Sequence, residues 1–303
     1  MLVRPTNGPT AIAGYADPDM EIALALGSAI AYGISDFTGG VLSKRAHVLT
    51  VVLLSQIIST AIVVLVLPFW NGAFSWPALG WGAAAGVAGM AGAAFLYRGL
   101  AIARMGVVAP VTAVLSAAIP VSFGLVIEQR PDAVALIGVG VGLVAVLLIS
   151  GAPQPAPANP VAETGNPSTG SGIAEALGAG VSFGLFFILL ERAPGESGLW
   201  PLVGTRISEV ACAALLCVFV GASIQTPKGA GRGLVLLGFS NLGADLLYLL
   251  ATRRGLLSLV AVITSFYPAA TVALARVVLN ERMVRQQILG VAFAALSVTL
   301  IAI

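Results

Sequence analysis

Charge is what this chain lacks most. Of its 303 residues only 9% are charged, while 58% are apolar. A soluble domain carries about 25% charged residues, so the chain has too little charge to cover a water-facing surface. Its mean hydropathy of +1.00 agrees. The solvent for most of the chain must be lipid. The net charge is only +2, and no basic run or basic–aromatic stripe is present. Nucleic acid is therefore not an expected partner. Histidine is almost missing too, since His47 stands alone in a loop. No His/Cys/carboxylate cluster has metal-ligand spacing, no glycine loop with a lysine is built for phosphate, and no nucleophile–histidine pair is in sight. Neither a metal nor another cofactor is expected. The two cysteines, Cys212 and Cys217, share one apolar run. On a helix they lie roughly 140° apart and read as small packing residues, not a disulfide.

What is present is a series of long apolar runs. A bilayer-spanning helix needs about 20 mostly apolar residues. Ten runs fit: 22–42, 48–68, 78–99, 106–127, 133–151, 173–191, 202–221, 232–252, 256–279 and 285–303. Polar or helix-breaking residues separate most of them, such as Lys44-Arg45, Asn71-Gly72, Gln129-Arg130-Pro131 and Asn280-Glu281-Arg282. A membrane barrel would show alternating segments of about 10 residues, and these runs are continuous. The expected fold is an all-α integral membrane protein. Residues 1–21 contain three prolines and no unbroken apolar core, so they read as a short tail and not a secretory signal.

Residues 152–171 (APQPAPANPVAETGNPSTGS) read as a linker. They separate a five-span unit, 22–151, from a second one, 172–303. The two units are related. IALALGSAIAYG (Ile22 to Gly33) answers IAEALGAGVSFG (Ile173 to Gly184), and the same offset aligns GAAFLY (Gly92 to Tyr97) with GADLLY (Gly243 to Tyr248). At nearly that offset Ser55-Gln56-Ile57 answers Thr205-Arg206-Ile207. Five is odd, so two copies in one chain must lie in opposite orientations. Inverted repeats that meet at a midplane site and rock about it are a recurrent device of secondary transporters.

The first-span pattern Gly33-x-x-Asp36-Phe37-x-Gly39-Gly40 is followed by Lys44-Arg45. Pro268 precedes Asn280-Glu281-Arg282, Gly290 lies in the tenth span, and Glu128 with Gly138 marks the first half. In these features the chain resembles the EamA-like members of the drug/metabolite transporter superfamily. The resemblance covers about 22–303. It implies ten spans as two five-span repeats, a transport role and cytoplasmic termini. Pro120 stands closer to Glu128 than the pattern expects. The resemblance names no substrate.

Polar groups inside spans are the candidate site, because intramembrane charge costs roughly 2.5–3.5 kcal/mol on insertion scales. Ser28, Tyr32 and Asp36 form one stripe on the first span, and Asn241, Asp245 and Tyr248 another on the eighth. Arg206 and Glu209 are an i, i+3 pair that should neutralise one another. Gln56, the repeat partner of Arg206, and Tyr97, the repeat partner of Tyr248, join the candidate cavity. Tyr267 joins it beside Pro268. Carboxyl groups at such depth serve proton relays, so Asp36 and Asp245 are candidates for proton coupling. Pro110, Pro120 and Pro268 remove backbone donors and are expected helix kinks. Arg98 and Arg276, near span ends, are expected to snorkel. Phe183 and Phe187 would add aromatic walls.

These features favour a multi-pass secondary transporter of the plasma membrane, exporting small organic solutes by alternating access. Its partners would be the bilayer and a small solute. A non-transporting scaffold or sensor, and a membrane enzyme acting on a lipid-linked substrate, are the alternatives. Cytoplasmic termini would leave Arg4, Arg130, Arg192, Arg253 and Arg254 inside. Outside would lie Lys44, Arg45, Arg104, Lys228, Arg232, Arg282 and Arg285, a weak bias the other way. The orientation adopted is the one the resemblance implies.

Overall fold

The computed structural model describes residues 18–43, 45–102, 105–127, 131–151, 172–222, 229–279 and 283–303. Most of the N-terminal tail, the linker 152–171, Lys44, Arg104, Glu128, 129–130, 226–228 and 280–282 lie outside the described residues, as do the side chains of Tyr97 and Pro110.

Among the described residues the long elements are helices: α1 (Pro18–Ser43), α2 (Val48–Val66), α3 (Trp76–Ile102), α4 (Met105–Ile127), α5 (Ala133–Ser150), α6 (Ile173–Glu191), α7 (Trp200–Val220), α8 (Gly231–Thr252), α9 (Leu257–Thr264), α10 (Tyr267–Leu279) and α11 (Arg285–Ala302). Nine stretches among the described residues are long and apolar enough to cross a membrane, with α9 and α10 together forming one of them. Helix α4 adds the apolar stretch Val111–Ile127 and makes the tenth span. The first span begins at Pro18, four residues before the apolar run. Asp19 and Glu21 occupy its first turn, where carboxylates suit the positive end of the helix dipole. Asp132 caps α5 by accepting from the Ala135 N–H at 2.7 Å.

The surface is the reverse of a soluble protein's. Phe69, Phe219 and Val277 are more than three-quarters exposed, whereas Arg206 and Asp245 are almost wholly buried. Apolar residues face outward because lipid is the solvent, and polar ones gather where helices meet.

Most helix packing crosses between the halves. Helix α1 packs on α8 and α10, and α6 correspondingly packs on α3 and α4; α2 meets α7, α4 meets α9, and α5 meets α11. Exchanging the halves maps this pattern onto itself, so the fold is two inverted five-helix repeats that interlock. Two close crossings obey the same exchange. Gly33 of α1 lies against Ala270 and the Tyr267 carbonyl of α10, and Gly184 of α6 lies against Ile119 of α4. The offset relating IALALG to IAEALG relates these two pairs. Small residues let helix backbones approach closely in lipid.

One span breaks the likeness. Pro268 cannot donate to the ladder. The Phe266 N–H turns to the Ile263 carbonyl (3.1 Å) and the Ala269 N–H to the Phe266 carbonyl (2.9 Å), separating α9 from α10. The expected kink at Pro268 is thus a break, whereas α4 continues as one helix through Pro110 and Pro120.

At the end of the bundle where α1 starts, the chain is sealed. The Ala73 N–H donates to the Glu196 carbonyl (3.2 Å), joining the α2–α3 and α6–α7 connections. Phe74 packs edge-on against Trp76 and Trp200, with ring centroids 5.0 and 4.7 Å apart. Gly72 lies against Gly198, whose φ of 57° sits in the left-handed region. A side chain at either glycine would push the two connections apart. Arg253 adds a hydrogen bond to the Gly198 carbonyl (3.2 Å), and burial pushes its guanidinium pKa down. All eight residues of α9 are buried.

Candidate functional site

A cavity of about 580 Å³ lies between the two repeats. Its lining begins at mid-bundle with Tyr32, Phe187, Glu209 and Asp245, and reaches Ser43, Val48 and Ser150. Those last three stand where α1 and α5 end and α2 begins. The cavity therefore runs toward the end of the bundle opposite the seal.

Its inner wall is built on Arg206, which has no exposed surface. Arg206 Nη1 shares its two hydrogens among Gln56 Oε1 of α2 (2.6 Å), Glu209 Oε2 of α7 (2.6 Å) and Asn241 Oδ1 of α8 (2.7 Å). Its Nη2 pairs with Asp245 of α8. Tyr32 of α1 donates its hydroxyl to the other oxygen of Asp245. One guanidinium meets two carboxylates, and four helices are joined. A buried charge is tolerated only when paired and hydrogen-bonded, and this network meets that condition at both Nη atoms, while Arg206 Nε has no partner among the described residues.

Aromatic rings flank the wall. Tyr32 meets Phe187 and Tyr267 edge-on, at centroid separations of 6.1 and 6.3 Å. Phe186 and Phe187 are 5.3 Å apart. Asp36, one helical turn beyond Tyr32, is open to the cavity. It makes no hydrogen bond or ion pair among the described residues.

The EamA-like transporter family model matches residues 19–151 and again 170–303. The chain belongs to the EamA-like transporter family. No curated protein matches it in sequence. A solved structure titled "Crystal structure of protein" is similar to it, with a TM-score of 0.69 and 17% identity over 93% of this chain and 95% of that one. This likeness concerns the fold alone. The protein is therefore a membrane transporter of ten spans in two EamA repeats.

In this EamA-like chain, Tyr32, Asp36, Gln56, Glu209, Asn241, Asp245 and Tyr267 all line the one cavity. Arg206 lies directly behind it. Tyr248 does not line it. Its ring packs 4.7 Å from Phe187 and its hydroxyl donates to the Phe187 carbonyl (3.1 Å), so only two members of the α8 stripe reach the space. The two proton-coupling candidates also differ. Asp245 is engaged by Arg206 and Tyr32, and Asp36 has no such partner among the described residues. Arg98 pairs with Glu175 at 3.5 Å while itself largely exposed.

Sequence reasoning passed over Ser35, Ser55, Thr112, Ser116 and Thr271, all in the lining. Thr112 and Ser116 stand four apart between Pro110 and Pro120. That spacing is the same stripe signal that identified Tyr32 and Asp36.

Proposed function

We propose that this EamA-like protein is a secondary transporter that exports small organic solutes across the plasma membrane by alternating access. The observation that carries the reading is a cavity between inverted repeats, running to one end of the bundle while the other end is sealed. Rocking one repeat against the other would close the first end and open the second. The Ala73–Glu196 and Gly72–Gly198 contacts are the ones that must part. With cytoplasmic termini, as the family resemblance implies, the cavity faces the exterior, which suits the release state of an exporter. The reading is of a carrier and not an enzyme. What supports that reading is that Glu209 and Asp245 are both tied to Arg206.

The test does not require the substrate to be known. Spin labels at Ala73 and Glu196, both exposed, would be introduced on a Cys212→Ala/Cys217→Ala background in lipid nanodiscs. Alternating access expects two populations of inter-label distance, one short as in the sealed state and one longer. A single short distance under every condition of pH, lipid and added solute would count for a static scaffold.

A further inference from the structure

We propose that the solute taken by this cavity is an organic ammonium ion with an aromatic or apolar body, its charge held by Asp36 and its body by the rings of Tyr32, Phe187 and Tyr267. The inference rests on the transporter reading above and adds a chemical class to it.

Among the described residues the lining holds three carboxyl groups, Asp36, Glu209 and Asp245, and no lysine, arginine or histidine. The nearest guanidinium, Arg206, is wholly buried and already shared among four acceptor side chains. An anionic solute would find no free cation here and would face excess negative charge. Low-dielectric walls of one sign concentrate counter-ions, and here the counter-ion is a cation.

Asp36 is where that cation can be met directly. Glu209 and Asp245 spend their charge on Arg206. Asp36 has no hydrogen-bond or ion-pair partner among the described residues and stands open to the space. A neutral solute that displaced the cavity water would leave this carboxylate without a partner, which is costly in a dry site. An ammonium group would supply both a counter-charge and N–H donors.

The rings supply the second half of recognition. Tyr32 precedes Asp36 by one turn of α1, and α10 brings Tyr267 alongside through Gly33 and Thr271, whose hydroxyl reaches the Gly33 carbonyl at 3.4 Å. Phe187 closes the third side. Aromatic faces within about 6 Å attract an organic cation. Beyond them, Val51, Met90 and Leu237 offer apolar surface for the body. The volume of about 580 Å³ falls among sites for drug-sized ligands, roughly 300–1,000 Å³.

Three probes that share one body decide the matter: 2-(1-naphthyl)ethylammonium, 2-(1-naphthyl)ethanol and 3-(1-naphthyl)propionate. Their binding to the purified full-length protein in nanodiscs is measured by calorimetry at neutral pH. The ammonium should bind roughly 10-fold or more tighter than the alcohol, as expected for a hydrogen bond to a charged group, and the carboxylate more weakly than either. Asp36→Asn should bring the ammonium down to the level of the alcohol, and Asp36→Glu should restore part of the preference. Thermal unfolding of each variant checks that it is folded, and the probe series on the unaltered protein stands by itself if one is not. Equal or tighter binding of the alcohol or carboxylate overturns the proposal. So does a preference that survives Asp36→Asn, or no binding of the ammonium at all. Each of these outcomes leaves the spin-label distances, and with them the transporter reading, to be judged separately.

Discussion

Helices α3 and α8 occupy equivalent places in the two inverted repeats, yet they carry opposite chemistry. Helix α8 presents Asn241 and Asp245 to the cavity. At the matching offset α3 has Met90 and Ala94. The surrounding residues agree, since GAAFLY answers GADLLY. Backbone approach is likewise conserved between the halves, with Gly86 of α3 against the Thr205 carbonyl of α7 and Gly238 of α8 against the Ser55 carbonyl of α2. The repeat therefore governs how helices pack, and it does not govern what lines the site. The reason lies in Arg206. A buried guanidinium needs its counter-charges once, on the side its side chain reaches. Its repeat partner Gln56 is neutral and serves as one of its acceptors, so the two equivalent positions meet each other in unlike roles.

That contrast can be broken most severely at Arg206 itself. Arg206→Gln, which makes the second half like the first, strands Glu209 and Asp245 in the protein interior. Stability should fall by roughly 3–5 kcal/mol, seen as a large drop in unfolding temperature in detergent. Retained stability would mean that the two carboxylates are not held by the guanidinium.

The packing half of the comparison predicts equality. Gly33→Ala and Gly184→Ala each place a methyl group in an equivalent tight crossing, against α10 and α4. Each should cost about 1–3 kcal/mol, the range for overpacking, and the two losses should be alike by thermal unfolding. A large cost at one site with none at the other would show that the halves are packed less symmetrically than their backbones suggest.

The smallest effect is expected at Tyr248. Tyr248→Phe removes the hydroxyl that bonds to the Phe187 carbonyl and should cost about 1 kcal/mol. Because Tyr248 does not line the cavity, solute binding should change little. A loss of binding much larger than the loss of stability would place this residue in the site after all.

Much of this is legible in the chain alone. Ten spans follow from run length against bilayer thickness. The repeat follows from two blocks at one offset, and the Arg206–Glu209 pair from i, i+3 spacing. Harder to read were the residues on the far side of each contact. Periodicity puts Asn241, Asp245 and Tyr248 on one face of α8, but that face is wide enough for Tyr248 to turn toward α6 while its neighbours face the cavity. Asp36 and Asp245 look alike as lone carboxylates in apolar runs, and only the position of α7 against α8 gives Arg206 to one of them. Prolines in α4 and at Pro268 give the same local signal, yet α4 stays one helix and the ninth span divides.

What the sequence determined by itself is the solvent, the element type and the duplication. These depend on composition, length and periodicity, which are properties of the chain taken locally. What only the tertiary structure decided is which carboxylate is free, which tyrosine lines the space and toward which end the cavity runs. Those depend on pairs of residues far apart in sequence, and the pairing is set by how small residues let helices of opposite halves close upon one another.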